Sequence, residues 1–107
     1  MAEYIQVSTT TDKREDAEKI ANALVANRLA GCVQIVGPVV STYWWQGNME
    51  TTEEWLCLIK TRKDLYCQLE IALKQIHPYE TPEIVAVPIT AGSEEYLDWL
   101  ANELARE

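Results

Sequence analysis

Positive charge is scarce in this chain of 107 residues, and so are the residue patterns of several common functions. Nine Lys and Arg stand against seventeen Asp and Glu, which gives a formal net charge of -8. Nucleic acids and anionic membranes bind to positive surfaces, so this balance argues against nonspecific binding to either. No apolar run approaches the roughly 20 residues of a membrane-spanning helix. The sequence therefore predicts no nucleic-acid partner and no membrane partner.

Cysteine occurs only three times, at Cys32, Cys57 and Cys67, without CxxC or CxxxC spacing. An odd number of cysteines without these spacings does not indicate a disulfide framework or a zinc site. Cys32 and Cys57 lie in apolar, strand-like stretches, which favours small buried hydrophobic side chains. Residues 1–5 lack the basic start and the apolar stretch of a signal peptide. We therefore expect a cytoplasmic protein.

Catalytic motifs are also missing from the sequence. It contains no GxGxxG, Walker loop or HExxH pattern, and a single histidine would have to serve as the base for any nucleophile. The apolar share of 48% and the charged share of 24% are those of an ordinary soluble domain. These features predict one globular domain, residues 1–107, that is not an enzyme.

Three stretches carry apolar residues at helical spacing, namely 13–27, 65–76 and 96–104. Asp12 begins a capping-box pattern for the first helix, and Thr61 and Asp64 suit the start of the second. Strand patterns occupy the stretches between them, at 4–9, 32–46, 49–61 and 84–89. The order is therefore βαββαβ with an extra C-terminal helix, in which the last strand is apolar throughout, as is typical of a central strand.

The two middle strands predict an unusually long hairpin with Gly47-Asn48 as its turn. Gly37-Pro38 interrupts the first of them, which indicates a bulge with the proline on a sheet edge. Strands of roughly 15 residues at about 3.3 Å each would project well beyond a compact domain of this size. An isolated ribbon is not stable alone, and its edges favour pairing. We therefore expect the hairpin to pair with another subunit of an α+β, ferredoxin-like sandwich.

A set of short motifs follows in a fixed order along residues 4–104. Its members are Leu29-Ala30-Gly31-Cys32-Val33, Ser41, Tyr43, Trp45, Gly47, Glu54, Leu56, Lys60-Thr61 and the segment from His77 to Ile84. Together they resemble the CutA family, whose members are often described as divalent-cation tolerance proteins. The resemblance implies a ferredoxin-like homotrimer in which long hairpins join the sheets of neighbouring subunits. The implied architecture is related to that of PII signalling proteins.

The resemblance also implies a function in tolerance to copper and other divalent ions, with no cofactor required. The copper ligands proposed for the family are a cysteine at the end of the first strand and a pair of histidines. In this sequence Ser8 and Ile76 stand at two of those positions, and only His77 matches. The alternative function is that of a PII-like signalling or scaffold trimer that binds a small ligand or a protein partner in its inter-subunit clefts.

His77 is the only histidine, in a segment whose two prolines restrict the backbone. Tight Cu(II) or Zn(II) sites use three or four ligands, so one imidazole is insufficient. Glu80 and Glu83 are the candidates for additional oxygen ligands, and neighbouring chains of a trimer could supply others. The alternative is that His77 forms a hydrogen bond with a carbonyl at the turn between helix and strand.

A second group of residues is expected to lie at the boundary between subunits. Aromatic residues are concentrated at the hairpin tip, and Trp and Tyr are enriched at protein interfaces. Packing against a partner subunit is one interpretation, and a ligand platform in the cleft is the other, with Lys60 as countercharge for a small anion. The full set of candidates is Tyr43, Trp44, Trp45, Glu54, Lys60 and Tyr79.

Overall fold

The computed structural model describes residues 2–106 and contains the predicted elements in the predicted order. They are β1 (Tyr4–Thr11), α1 (Arg14–Ala26), β2 (Cys32–Trp45), β3 (Asn48–Arg62), α2 (Tyr66–Ile76), β4 (Val85–Ile89) and α3 (Glu94–Glu103), with a 3₁₀ turn (Lys63–Leu65) before α2. The strands form one antiparallel sheet in the order β2-β3-β1-β4. This order confirms the ferredoxin-like α+β fold with a long central hairpin and an extra C-terminal helix.

The main core lies between α1, α2 and one face of the sheet. Successive residues of a strand point to opposite faces, so alternate positions of β1 and β3 meet the helices. Ile5 and Val7 of β1 and Ile59 of β3 are buried there against Leu24 of α1 and Leu69 of α2. Cys57 is also fully buried in this core, as expected, and burial raises the pKa of its thiol to about 11. Cys32, which was expected to be buried as well, is only partly buried.

In the part of the chain that the structure describes, α3 packs on one end of the opposite face of the sheet. There Leu100 of α3 and Leu104, the residue that follows α3, pack with Leu65 and with the partly buried Tyr4. The rest, which we call the open face, carries the other set of alternating residues. By strand register the open face includes Gln6 and Ser8 of β1, Leu58 and Lys60 of β3, Gln34 of β2, and Val85 and Val87 of β4.

The prediction that the last strand is central is wrong. β4 lies at an edge of the sheet, and Val85 and Val87 are 53% and 52% exposed. An apolar run predicts burial on both faces, but in one chain the open face of β4 has no covering layer. The bulge prediction is confirmed, because the register shifts between Val36 and Val39 on the other edge strand, β2.

The hairpin turn lies one residue earlier than predicted. Trp45 pairs with Asn48, so the two turn residues are Gln46 and Gly47, both with positive φ (50° and 82°). A two-residue turn of this kind needs left-handed backbone at both positions, which glycine adopts without strain. The predicted turn, Gly47-Asn48, has glycine at its first position, whereas in the structure Gly47 is the second residue of the turn.

Neither Asp12 nor Thr61 occupies the position immediately before its helix, which is Lys13 for α1 and Leu65 for α2. The residue before α1 is Lys13, not Asp12, and the hydroxyl of Thr11 donates to the Lys13 carbonyl at 2.8 Å. The hydroxyl of Thr61 donates to the carbonyl of Leu29 at 2.7 Å, because Thr61 lies within β3 and faces the core. These two capping predictions are therefore wrong.

Ser93 caps α3, where its hydroxyl oxygen accepts a hydrogen bond from the Tyr96 N–H at 3.2 Å. We expect Ser93→Ala to lower the free energy of unfolding by about 1 kcal/mol, because the first turn loses a partner for one of its free N–H groups. Chemical denaturation at fixed protein concentration measures the change. Thr90→Ala is the matched control, since Thr90 is exposed and precedes the helix; an equal loss in both variants would contradict the capping role.

Candidate functional site

The junction segment, residues 77–84, connects α2 to β4 at the end of the sheet where β1 stops. β1 ends with Thr11 opposite Trp55, so Glu54 is the first residue of β3 beyond that pairing. Glu54 is nonetheless only 6% exposed. Tyr79 of the junction segment reaches this position and donates its hydroxyl hydrogen bond to Glu54 Oε2 at 2.7 Å. The early end of β1 thus leaves room for a side chain from a distant part of the chain.

His77 is 8% exposed and uses both ring nitrogens within the chain. Nε2 lies 2.9 Å from the Thr10 carbonyl oxygen and 3.0 Å from Thr9 Oγ1, and the Tyr79 N–H donates to Nδ1 at 3.1 Å. A carbonyl only accepts and a backbone N–H only donates, so these partners assign the proton to Nε2. The imidazole is therefore neutral and held in one tautomer.

Burial lowers the pKa of His77, because the charged imidazolium would lose its hydration. The hydrogen bond to the Thr10 carbonyl and the carboxylates of Asp16, Glu54 and Asp12 act in the opposite direction but are outweighed. The pKa of Tyr79 is raised by burial, by the hydrogen bond to Glu54 and by nearby negative charge. At neutral pH the hydrogen-bond network of His77, Tyr79 and Glu54 with Thr9 and Thr10 therefore contains a neutral imidazole and a protonated phenol.

The geometry of this network favours a structural role for His77 over a role as a metal ligand. Neither ring nitrogen of His77 is open to a metal ion unless a hydrogen bond breaks, and the carboxylates of Glu80 and Glu83 lie on exposed residues. Within residues 2–106 no three His, Cys, Asp or Glu side chains come together as a metal-binding group. His77 forms a hydrogen bond with a carbonyl, as in the alternative interpretation, but this carbonyl belongs to Thr10 of β1 and not to the turn between helix and strand.

The expected subunit-boundary residues fall into separate places. Tyr43 lies on β2, where its hydroxyl is 3.2 Å from Thr52 Oγ1, and it makes only a minor contribution to the raised pKa of Tyr79. Trp44 is 74% exposed, and the strand alternation directs it to the face opposite Tyr43 and Trp45, as expected. Lys60 lies six residues from Glu54 on β3, about 20 Å along the strand. Within one chain, Glu54 and Lys60 therefore do not line a common small site.

Thr9 was not among the residues selected from the sequence. It is fully buried and its hydroxyl bonds the His77 ring. The available signal is a break in the apolar alternation of β1, because Ile5 and Val7 are followed on the same face by Thr9 and Thr11. A buried polar side chain needs a partner, so this pattern indicates a hydrogen bond from elsewhere in the chain.

The lowered pKa of His77 predicts how stability depends on pH. The unfolded imidazole has a pKa of about 6.5, so below that pH the unfolded state binds more protons than the native state. The contribution of neutral His77 is thus present above pH about 6.5 and is lost as pH falls toward the lowered native pKa. Denaturation curves of the wild type and His77→Gln between neutral and mildly acidic pH should converge at the acidic end. Because the chain has one histidine, a difference that is constant with pH would contradict the assignment.

The sheet order, the two helices on one face and the long hairpin define an α+β protein of the ferredoxin-like class. Residues 5–103 match the model of the family described as CutA1 divalent ion tolerance protein. The chain is 48% identical over 94 residues to the divalent-cation tolerance protein CutA of Thermus thermophilus, covering 88% of this chain and 91% of that protein. This chain therefore belongs to the CutA1 divalent ion tolerance family.

Other relatives agree in fold and differ in length or location. The chloroplastic CutA protein of Arabidopsis thaliana is 43% identical over 98 residues, which cover 92% of this chain but 54% of that protein. The chain thus spans about half the length of the chloroplastic plant relatives it matches. The names of these relatives carry no enzyme activity.

Solved structures of relatives superpose closely on this chain. CutA1 from Oryza sativa gives a TM-score of 0.95 at 37% identity, covering 98% of this chain and 96% of that one. A protein from Archaeoglobus fulgidus described as periplasmic gives 0.90 at 36% identity, covering 94% and 97%. In the part of this chain that the structure describes, none of the helices has the length and apolar character required to cross a membrane.

Proposed function

We propose that this protein acts as a homotrimer in divalent-cation tolerance and does not catalyse a reaction. Membership of the CutA1 family supports the role in tolerance. The observation that carries the trimer is the apolar surface left uncovered in one chain, with Val85 and Val87 on the open face and Val40, Trp44 and Met49 on the projecting hairpin. By strand register Val40, Trp44 and Met49 lie on the other face of the sheet from Val85 and Val87, so the chain exposes apolar side chains on both faces. Exposed apolar surface of this kind is typical of interfaces between proteins.

The shape of the chain supports self-association over an isolated monomer. Its principal extents are 44 × 25 × 21 Å, and the long axis is consistent with a hairpin that extends past the helices. The part of the β2–β3 hairpin that extends past the helices has no layer packed on it within residues 2–106 of the chain. Two-stranded ribbons of this kind are marginally stable in water. The outer edges of β2 and β4 carry unpaired backbone groups that another copy can pair with.

We further propose that the trimer binds copper or another divalent ion weakly. Glu80 and Glu83 supply exposed carboxylates three residues apart, and neighbouring chains supply further ligands. Coordination by His77 would require the loss of one of its hydrogen bonds, so its contribution to affinity is small. The net charge of -8 favours cation binding in general.

Calorimetric titration of the protein with Cu(II) and Zn(II) tests the metal proposal. We expect weak binding that decreases when Glu80→Gln and Glu83→Gln are combined, and that changes little in His77→Ala. The matched control combines Glu94→Gln and Glu95→Gln, which remove two exposed carboxylates from α3. Absence of heat with either ion, or an equal loss in the control, would contradict a metal site at the junction segment.

A second candidate function is a PII-like signalling or scaffold trimer. The hydrogen bonds at both ring nitrogens of His77 favour this function over metal binding. They hold the junction segment in one conformation, which suits a segment that lines an inter-subunit cleft. We also propose a cytoplasmic location, consistent with three free cysteines, although relatives carry chloroplastic and periplasmic names. Fractionation of cells that express the tagged full-length protein tests the location.

A further inference from the structure

Lys60 is a cation on the open face whose hydrogen-bond acceptor is a neutral side chain. Its ammonium donates to Gln34 Oε1 at 2.5 Å, and within residues 2–106 it forms no ion pair. The other cation on this side of β3, Arg62, is held by Asp64 at 2.6 Å and donates to the Ala105 carbonyl at 2.8 Å. Lys60 thus differs from Arg62 in lacking a carboxylate.

The surroundings of Lys60 combine hydrogen-bond donors with apolar groups. Gln6 is the cross-strand neighbour of Lys60 on β1, and Val87 is the neighbour of Gln6 on β4. Because Gln34 directs its carbonyl to Lys60, both N–H groups of its amide remain available, as do two N–H groups of the ammonium. Several donors therefore share a region that contains no carboxylate paired with Lys60.

Covering the open face removes this region from water. A buried ammonium bonded only to a neutral amide is strongly unfavourable, because it loses its hydration without gaining an opposite charge. The carboxylate of Glu54 does not relieve this cost within the chain, because it lies about 20 Å along β3 and accepts from Tyr79. An acceptor with negative charge is required at Lys60 once another copy covers the face.

We infer that Lys60 and Gln34 bind a small oxyanion, of the carboxylate or phosphate class, that a neighbouring copy encloses in the trimer. The inference rests on the proposed trimer, since the site is open in one chain. Lys60 supplies the charge, and the amide of Gln34 supplies directed donors that suit an oxygen acceptor. Gln6 and Ser8, which share the open face, are placed to add further donors.

The test begins with light scattering of the wild-type protein, followed by calorimetric titration of the same sample with inorganic phosphate and, separately, with acetate. We expect binding of at least one probe. In Lys60→Met and in Gln34→Leu the affinity should fall about tenfold or more, since a charge-assisted hydrogen bond contributes 1.5–3 kcal/mol in order of magnitude. Lys60→Arg should retain binding. Lys74→Met is the control, because Lys74 pairs with Glu70 on the outer surface of α2.

The outcomes separate the anion site from the trimer on which it rests. A monomer would contradict both proposals. A trimer that binds neither probe, or that binds them equally well in Lys60→Met, would overturn the anion site alone. If Lys60→Met weakens the trimer and no probe binds to the wild type, a carboxylate of the neighbouring copy pairs with Lys60, which also overturns the anion site. Binding of only phosphate or only acetate identifies the class of anion.

Discussion

His77→Ala is expected to lower the free energy of unfolding by about 3 kcal/mol. The substitution leaves the Thr10 carbonyl and the Tyr79 N–H without their partner, and each unsatisfied buried group costs about 1–3 kcal/mol. It also leaves a cavity where the ring was, which adds to the loss. Denaturant unfolding, compared with the wild type at equal protein concentration, measures the effect.

The neighbouring residue provides the control for this prediction. Ile76 is larger than alanine and adjacent to His77, but it is 43% exposed, so Ile76→Ala should cost less than about 1 kcal/mol. A loss of similar size in both variants would mean that the hydrogen bonds of His77 contribute little. The same result would leave the imidazole free to exchange its protein partners for a metal ion.

Val85→Glu combined with Val87→Glu is expected to convert the trimer into folded monomers. Three copies would place these carboxylates in a covered apolar surface, where unpaired charge is strongly unfavourable. Both valines are about half exposed in one chain, so the fold of the monomer should tolerate the change. Light scattering measures the mass, and circular dichroism verifies that secondary structure is retained.

Ile71→Glu is the matched control for the open face. Ile71 is an apolar residue of α2 that is 60% exposed, and it lies on the layer opposite the open face. We expect this variant to remain a trimer. If the valine variant also remains a trimer, the open face is not the surface that the copies bury, and the support for self-association would reduce to the hairpin alone.

Local sequence patterns were sufficient to predict the order of helices and strands. They failed where contacts with residues distant in the sequence determine the partner or the burial of a side chain. Alternation in β1 and the helical spacing in α1 depend on neighbours in the chain, so both were predictable. Thr61 looked like a helix cap because of its position, but it is buried in β3 and bonds the Leu29 carbonyl. The apolar run of β4 indicated burial, which its own chain does not provide.

In the candidate site, too, local features were predictable from the sequence and long-range contacts were not. Its most informative segment was recognisable from one histidine followed by two prolines, and the bond between Tyr79 and Glu54 joins two residues already selected. The partners of His77 were not predictable, because Thr9 and Thr10 lie 68 and 67 residues away and become neighbours only through the sheet and α2. Lys60 and Glu54 lie about 20 Å apart along β3. Their place in one inter-subunit cleft stays a prediction, and it would require these residues to come from two different chains.

The mass of the unmodified protein in solution is the most direct test of the central claim, that copies of this chain bury the open face in a trimer. Light scattering at physiological salt, repeated over a wide range of dilution, should give about three times the 12.2 kDa mass of the chain. A mass near that of a single chain at every concentration would contradict the trimer, and with it the enclosed anion site at Lys60.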